Sequence, residues 1–270
     1  MSNLEIFCVT DLPLKNLEHL ELKLVGVGKE NFSNNYIQCN HGDNIHEKEK
    51  YYSELTFHYW FWKNMLDMYD NNKWIGFCQK RRFWIKNESK KIKNIQDLKD
   101  SLLNEIPKEW ENYDAFLCEP ILVSPAKKMK LIKRGWRNII KSPSILIDAK
   151  KHNIKLQFDM FHGHGILDKA IELLPNDQRY DFQNYVNNQI KFYPNIMVIS
   201  KKIILEQWFE NLFKWLFSCE KIFGFDELLG YDKGRLYAYL SERYLSFWFS
   251  SYYRTKQVPW KFFDTVKIIK

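Results

Sequence analysis

Short apolar runs recur along the chain between polar or turn-forming residues, and they predict buried β-strands. Each run is brief and rich in β-branched or aromatic residues, as is typical of strands covered on both faces of a sheet. The runs are LEIFCVT at 4–10, LKLVGVG at 22–28, WIGFCQ at 74–79, DAFLCEPILVS at 114–124 and NIMVIS at 195–200. We predict one strand for each run.

Apolar residues with helical spacing predict longer helices between and after these strands. The predicted helices lie at about 52–70, 202–222 and 233–252. In the first of them, Glu54 and His58 form a polar edge beside an apolar stripe. Strands that alternate with helices indicate an α/β protein built on a sheet rather than a β-sandwich.

No internal repeat, linker or low-complexity tract divides the chain. We predict a main domain at 1–200 and a helical C-terminal subdomain at 201–270 that belongs to the same unit. Ligands of open α/β sheets bind beyond the carboxyl ends of the strands. The segments that follow predicted strands are GKEN after Gly26, QKRRFW after Cys78, EP after Cys118 and SKK after Ile199. Two of these are strongly basic, which favours a phosphate-bearing ligand.

Composition indicates a globular, intracellular protein. The N-terminal segment has no signal-peptide pattern, no apolar run reaches the length of a membrane span, and the cysteines are five and scattered. We therefore expect a cytoplasmic protein with reduced thiols.

The net charge of +8 is concentrated in two regions. Residues 127–155 contain ten Lys or Arg and one acid, Asp148, and the aromatic tail from 252 onward contains five basic residues and Asp264. This distribution fits an anionic partner such as nucleotide phosphates, nucleic acid or the inner face of a membrane. It also fits a solvated lysine-rich face.

The common catalytic motifs are missing. The chain has no dinucleotide-binding glycine motif, P-loop, zinc-protease helix, nucleophile elbow or D-x-D. Several polar clusters remain, and each leaves a structural alternative open. In HGDNIHEK at 41–48, Asp43 and Asn44 could bind a sugar hydroxyl or only stabilise a turn. Glu54 needs a partner if it is buried.

Two further clusters carry candidate chemistry. Adjacent arginines, Arg81 and Arg82, follow a predicted strand, and a loop there could direct both guanidinium groups to one diphosphate. His162 and His164 lie between glycines in DMFHGHG, without further ligands at a convincing metal spacing. One of them is a candidate catalytic or substrate-binding histidine, or a structural one.

These motifs resemble, in order and spacing, a family of bacterial capsule and exopolysaccharide glycosyltransferases long known as a domain of unknown function. The family pattern runs Gly-Asp-Asn-Ile-Ser, Glu-Leu-Thr-x-x-Tyr-Trp-x-Trp-Lys-Asn and Gly-x-Cys-His-Tyr-Arg-Arg-Tyr-Phe. The corresponding segments here are GDNIH at 42–46, ELTFHYWFWKN at 54–64 and GFCQKRRFW at 76–84, followed by His164 or His162, NIM at 195–197 and ERY at 242–244. The resemblance covers nearly the whole chain, but Gln79 and Lys80 replace the family's His and Tyr, and His46 replaces Ser.

The resemblance implies a glycosyltransferase with a GT-A-like (Rossmann-like) mixed sheet flanked by helices. It would bind the nucleotide sugar in 1–200 and move a hexosyl group, galactofuranosyl or N-acetylated hexosyl among the options, from a UDP-sugar to a capsular or surface polysaccharide. The acceptor would be an oligosaccharide or a lipid-linked glycan.

The resemblance also implies site residues. The candidates for the catalytic base are Glu54, Asp43 and His164. The candidates for binding the nucleotide sugar and its diphosphate are Arg81, Arg82, Lys63, Asn44, Trp60, Asn64, Gln79 and Asn195. No protein metal site is expected; Mn²⁺ or Mg²⁺ could accompany the donor phosphates, with Asp114 or Glu119 as a ligand at the end of a strand.

Two other classes of function stay open. One is a non-catalytic scaffold of a capsule assembly complex, and the other is a basic nucleic-acid-binding protein, although the basic residues follow no known nucleic-acid-binding pattern. The basic, aromatic C-terminus further suggests peripheral contact with the inner face of the cytoplasmic membrane.

Overall fold

Parallel strands at the centre of a mixed β-sheet organise the fold. The computed structural model describes residues 3–87, 91–123, 128–148 and 151–267. The strands are β1 Leu4–Thr10, β2 Lys23–Gly26, β3 Ile37–Gln38, β4 Trp74–Gln79, β5 Arg82–Trp84, β6 Ala115–Leu117, β7 Ile121–Leu122, β8 Lys191–Phe192, β9 Val198–Lys201, β10 Thr255–Gln257 and β11 Trp260–Phe262. In this described part, nine strands form the sheet in the order β10-β6-β9-β4-β1-β2-β3, with β5 beside β4 and β11 beside β5, while β7 pairs with β8.

Helices connect the strands and fill the middle of the sequence. They are α1 Lys15–Glu18, α2 Glu49–Tyr52, α3 Leu55–Asn64, α4 Ile95–Ser101, α5 Lys128–Lys141, α6 Ile154–His162, α7 Ile166–Glu172, α8 Asn176–Asn188, α9 Lys202–Phe223, α10 Tyr231–Gly234 and α11 Leu236–Tyr252. Short 3-10 helices lie at His46–Lys48, Leu66–Met68, Lys108–Trp110 and Pro143–Leu146. Among the described residues, no helix combines the length and apolarity needed to cross a membrane.

The direction of the strands decides which ends meet at a ligand-binding edge. β1 is parallel to both β2 and β4, so their carboxyl ends lie at one edge of the sheet. β9 is antiparallel to β4, and Lys201 pairs with Trp74 at the beginning of β4. The basic segment after Ile199 therefore lies at the opposite edge, and the prediction that it contributes to the same ligand-binding edge is wrong.

The predicted strands are confirmed most closely where the sheet is parallel. β1 and β4 have the predicted bounds, and β2 lies inside the predicted run. The run at 114–124 is two strands, β6 and β7, which belong to different sheets. β9 starts only at Val198, because Asn195 and Ile196 have positive φ angles of 72° and 51°, which an extended strand does not contain.

The chain divides into two compact units whose bounds differ from a division at residue 200. Unit 1 comprises 1–119, 196–211 and 249–270, and unit 2 comprises 120–195 and 212–248. The difference arises because the chain returns to the central sheet twice after residue 195. β9 inserts between β6 and β4, and β10 adds to β6.

The core of unit 1 is an aromatic cluster between α3 and the sheet. Phe57 and Phe61 of α3 lie 5.4 and 5.0 Å, ring centre to ring centre, from Phe7 of β1. Phe77 of β4 completes the contact, 5.6 Å from Phe61. Every residue of α3 from Leu55 to Phe61 is buried, so the helix is covered on all sides rather than along one stripe.

The predicted polar edge of this helix is therefore wrong at His58. Its ring is 1% exposed, lies 4.3 Å from the Phe77 ring, and leaves Nδ1 without a hydrogen-bond partner. Burial lowers the pKa of His58 to about 3, which keeps the ring neutral in the folded protein.

Unit 2 is mostly helical. Phe182 of α8 stacks on Phe247 of α11, and the Trp215 indole donates to the backbone oxygen of Ala170 at 2.7 Å. A smaller apolar cluster of Ile145, Leu156 and Met160 lies under α5 and α6. All five cysteines fall in the described part of the chain, where each is buried and none forms a disulfide.

The neutral His58 predicts an acid-dependent loss of stability. The unfolded chain takes up a proton near the ordinary histidine pKa of about 6.5, whereas folded His58 takes it up only near 3. The contribution of the neutral His58 to the free energy of unfolding is fully present above about pH 6.5. It decreases by about 1.4 kcal/mol per pH unit as the pH falls toward 3. In urea unfolding between about pH 6 and pH 4, His58→Leu should reduce this slope. His19→Leu, at an exposed position of unit 1, should not; equal slopes for the native chain and His58→Leu would contradict the assignment.

Candidate functional site

A polar array lies at the carboxyl edge of the parallel strands. Gln79, the last residue of β4, donates its side-chain amide to Glu54 Oε1, and Arg82 Nη1 donates to Gln79 Oε1 at 2.8 Å. We call Glu54, Gln79 and Arg82 the edge array. It joins the start of α3 to the turn between β4 and β5, and its three side chains are partly exposed.

A strained residue places Glu54 at this edge. Ser53, between α2 and α3, has φ 54° and ψ −132°, a conformation rare for a residue other than glycine. Hydrogen bonds on both sides hold it: its N–H donates to the backbone oxygen of Glu49 at 2.7 Å, and its oxygen accepts from the Thr56 hydroxyl at 2.9 Å. Such strain persists where the surroundings fix the geometry, which is common at functional sites.

The two adjacent arginines have different partners. Arg82 binds Gln79, whereas Arg81 Nε lies 3.0 Å from Asp264 Oδ1. Lys80, at the tip of the same hairpin, forms an ion pair with Asp11, which directly follows β1. Lys80 and Arg82 therefore belong to the carboxyl edge through contacts with the ends of β1 and β4, and Arg81 is tied to the C-terminal segment.

That C-terminal segment secures the hairpin. The Thr265 hydroxyl donates to the Lys80 backbone oxygen at 2.6 Å, and the Phe263 N–H donates to the Arg81 oxygen at 3.0 Å. β11, just before it, pairs with β5. The tail proposed for membrane contact thus contributes strands to the sheet, and membrane contact by this segment stays a prediction that the described structure does not support.

A second group of predicted residues connects the 41–48 loop to the C-terminal end of α3. Asn64 donates its amide to the backbone oxygens of Asp43 and Trp60, both at 2.8 Å, and accepts from the Asp43 N–H at 3.1 Å. The Trp60 indole donates to the His41 oxygen at 2.8 Å, and Gly42 turns the chain with φ +64°. We call Gly42, Asp43, Trp60 and Asn64 the loop clip.

The loop clip and the edge array lie at opposite ends of α3. Asn64 lies ten positions after Glu54 along the chain, which is about 15 Å at the usual rise of a helix. Asp43 Oδ1 accepts from the Tyr59 hydroxyl at 3.0 Å, and burial, followed by this hydrogen bond and by the Asp43 charge, raises the pKa of Tyr59 to about 12. Lys63 Nζ lies 3.4 Å from the centre of the Trp62 ring, and the Asn44 amide donates to the Gly42 oxygen at 2.9 Å.

The remaining predicted residues lie in unit 2. His164 Nδ1 is 3.4 Å from Asp159 Oδ2 and lines a pocket of about 320 Å³ with Lys151, Lys155 and Asp168. His162 is buried, with Nδ1 2.8 Å from the Asp232 oxygen, and burial, followed by the charge of Arg243, lowers its pKa to about 3. This leaves His164 as the accessible histidine of the pair.

The backbone of Asn195 is held by the Glu242 carboxylate. Its N–H donates to Glu242 Oε1 at 2.9 Å, and the other carboxylate oxygen of Glu242 accepts from Arg243 at 2.7 Å. Arg243 is 1% exposed and donates to Gln157 at 2.7 Å. The ERY segment therefore fixes the turn of positive-φ residues at Asn195 and Ile196.

In the part of the chain that the structure describes, the carboxylates do not form a metal cluster. Across the described residues, no group of three or more His, Cys, Asp or Glu side chains is arranged to hold a metal ion. Asp114 precedes β6, at its amino end, and accepts from the Arg254 N–H at 2.9 Å, so its predicted position at the carboxyl edge is wrong. Glu119 follows β6, which runs parallel to β4 through β9, and lies on the predicted side.

Comparison with known proteins gives the family and the fold. The profile described as "Domain of unknown function (DUF4422)" matches residues 6–254. The chain belongs to the DUF4422 family. No curated protein matches this DUF4422 chain in sequence.

Among solved structures, this DUF4422 chain is similar to the apo structure of the bifunctional glycosyltransferase WbbM. The TM-score is 0.73 at 17% identity, over 98% of this chain and 46% of WbbM. The chain thus spans about half the length of that structure, and the predicted α/β fold of GT-A type is confirmed. The mannosyltransferase Ktr4p from S. cerevisiae also matches, at 10% identity over 79% of this chain and 60% of that one, but its TM-score of 0.26 supports no argument.

Some residues that contact the edge array and its hairpin were not predicted from the sequence. Asp11 directly follows the first predicted strand, and this position alone predicts a place at the carboxyl edge. It was missed because only the segments after the other four predicted strands were considered. Asp264 and Thr265 had no such signal, because they contact a hairpin more than 180 residues away in the sequence. Glu242 and Arg243 stood in a motif of the resemblance, but their contacts to Asn195 and Gln157 depend on packing.

The loop clip predicts that Gly42→Ala destabilises the DUF4422 chain. A Cβ at Gly42 would lie 2.1 Å from Asn64 Oδ1, and the positive φ adds strain. We expect a loss of about 2–3 kcal/mol in urea unfolding. Gly224→Ala is the matched control, since its φ is +56° and its Cβ would meet nothing within 4 Å; it should lose about 1 kcal/mol. Equal losses would show that the Asn64 contact does not matter.

Proposed function

We propose that this chain is a glycosyltransferase that moves a hexosyl group from a UDP-sugar to a glycan. The observation that carries the proposal is the edge array, which places a carboxylate, an amide and a guanidinium at the carboxyl ends of β1 and β4. Ligands of α/β sheets bind at this edge. The fold shared with a protein named as a bifunctional glycosyltransferase supports the same class of reaction.

Arg82 is our candidate for binding the donor diphosphate. Its guanidinium has five N–H donors. One of them binds Gln79 and fixes the orientation of the group, and the other N–H donors can bind phosphate oxygens. A second cation, Lys80, lies at the hairpin tip in an ion pair with Asp11. Cations held in place stabilise the negative charge that develops on a departing diphosphate.

Glu54 is our candidate for the catalytic base. In an inverting reaction the base takes the proton of the acceptor hydroxyl while that oxygen attacks the anomeric carbon and the bond to the diphosphate breaks. Glu54 is the carboxylate of the edge array, and Gln79 holds it beside the proposed diphosphate site. Asp43 already accepts from Tyr59 in the loop clip, and His164 lies in unit 2, so both remain alternatives.

The finer features of the reaction are part of the proposal. The transferred sugar is a galactofuranosyl or N-acetylated hexosyl group, and the acceptor is a capsular or surface glycan, free or lipid-linked. If Mn²⁺ or Mg²⁺ is bound with the donor, the donor phosphates would hold the ion, and Glu119, which follows β6, would be the carboxylate available as a further ligand. The reaction takes place in the cytoplasm at the inner face of the membrane.

Nucleotide binding tests the donor assignment. UDP at about a hundredfold excess over its Kd should raise the melting temperature by about 5 °C or more, with GDP, CMP and dTDP giving less. Comparing each nucleotide with and without Mn²⁺ measures the role of the metal. Arg82→Ala should abolish the UDP shift. Arg254→Ala, which removes an exposed arginine at the amino end of β6, should not; no shift with any nucleotide would favour the scaffold alternative.

Kinetics of Glu54→Gln test the base. The variant keeps an oxygen that can accept from Gln79 but cannot take a proton, so kcat should fall by about a hundredfold or more while the UDP shift persists. Glu47→Gln, an exposed neighbour, is the matched control. Nucleotide release in the presence of acceptor measures the rate. Undiminished kcat in Glu54→Gln would remove Glu54 as the base and return the assignment to Asp43 or His164.

A further inference from the structure

Helix α5 exposes an apolar stripe that the fold of unit 2 does not use. Ile132, Trp136 and Ile140 follow one another at four-residue spacing, so they lie along one side of the helix. They are 52%, 51% and 70% exposed. We call these three residues the α5 stripe. Single exposed apolar residues are ordinary, but three in register on one helix form a continuous apolar surface, and surfaces of this kind mark interaction sites.

Other residues of α5, outside the α5 stripe, hold the helix in unit 2. Ile139 packs against the cluster of Ile145, Leu156 and Met160, and Gly135 is buried. The Asn138 amide donates to Asp159 Oδ2 at 3.0 Å. The helix is therefore anchored by a face that excludes the α5 stripe, and changes to the stripe need not disturb this packing.

The charge beside the stripe selects the partner. Lys133 and Arg137 follow Ile132 and Trp136 by one position each, which places them along one flank, and α5 contains no acidic residue. Within the described residues, Lys133 and Arg137 form no ion pair, whereas Arg134, on the far side, pairs with Asp232 at 3.1 Å. Lys141 lies on the same side as Arg134 and lines the pocket of His164. The flank therefore offers two positive charges to an external partner.

We propose that α5 docks parallel to an anionic phospholipid surface, with the α5 stripe inserted among the headgroups and the two flanking cations, Lys133 and Arg137, on lipid phosphates. A helix with apolar residues on one side and Lys and Arg beside them binds such an interface. Tryptophan is favoured at this depth because its ring is apolar and its indole N–H polar. Nucleic acid would bind the cations and leave the stripe in water, and a second copy of the chain would bring the same positive charge to the contact.

Vesicle flotation of the full 270-residue chain tests this docking. The chain should float with vesicles of phosphatidylcholine containing about one third phosphatidylglycerol, and binding should weaken with salt and be absent on phosphatidylcholine alone. Trp136→Ser with Ile140→Ser should reduce partitioning by about tenfold or more. Lys133→Gln with Arg137→Gln should reduce it by about fivefold per cation removed. Because the assay needs no turnover, its outcome is independent of glycosyl transfer.

Matched variants elsewhere on unit 2 distinguish binding through the α5 stripe from nonspecific binding to vesicles. Ile222→Ser with Leu229→Ser removes exposed apolar side chains outside α5, and Lys169→Gln with Lys191→Gln removes exposed charges. Both pairs should bind vesicles as the native chain does. The proposal is overturned if the stripe variant floats like the native chain, if neutral vesicles bind equally well, or if the stripe variant instead converts a dimer to a monomer in light scattering.

Discussion

The burial of α3 on every side determines where unit 1 can place polar chemistry. Phe57 and Phe61 fill the space between the helix and the central strands, where an unpaired polar side chain would be strongly destabilising. The polar residues of the segment are therefore displaced to its ends, with Glu54 at the start and Asn64 at the finish. His58 is the exception, and it remains in the cluster as a neutral ring. One buried helix thus separates a polar array at the sheet edge from a clip that shapes a loop.

The edge array depends in turn on a contact between distant parts of the chain. The hairpin after β4 carries Lys80 and Arg82, and the C-terminal segment holds its tip in addition to the contacts that Lys80 makes with Asp11 and with the end of β1. Hydrogen bonds from Phe263 and Thr265 to the hairpin backbone, together with the pair between Arg81 and Asp264, hold it in place. The two adjacent arginines therefore have separate roles and need not bind one ligand. Arg81 holds the hairpin through Asp264, and Arg82 contacts Gln79.

The sequence predicts the elements that local pattern determines and fails where tertiary pairing decides. The bounds of β1 and β4 follow from their apolar runs, because buried parallel strands are nearly continuous in hydrophobicity. The direction of β9 has no local signal, and so the edge reached by Lys201 could not be predicted. The same holds for β10 and β11, whose pairing partners are more than 100 residues away. Glu54, Gln79 and Arg82 were foreseen as candidates, but their hydrogen-bonded connection required the turn at Ser53 and the hairpin.

The contacts of Gln79 and Lys80 explain how this chain accommodates residues that differ from the family pattern. Gln79 uses both ends of one amide, donating to Glu54 and accepting from Arg82. A histidine could do so only while neutral, since a protonated ring has two donors and no acceptor and would lose the contact with the guanidinium. The amide keeps the array connected without taking part in proton transfer, and Lys80 is paired with Asp11. Of the three side chains in the edge array, only that of Glu54 is a carboxylate, and this is why the proposed proton transfer is assigned to Glu54.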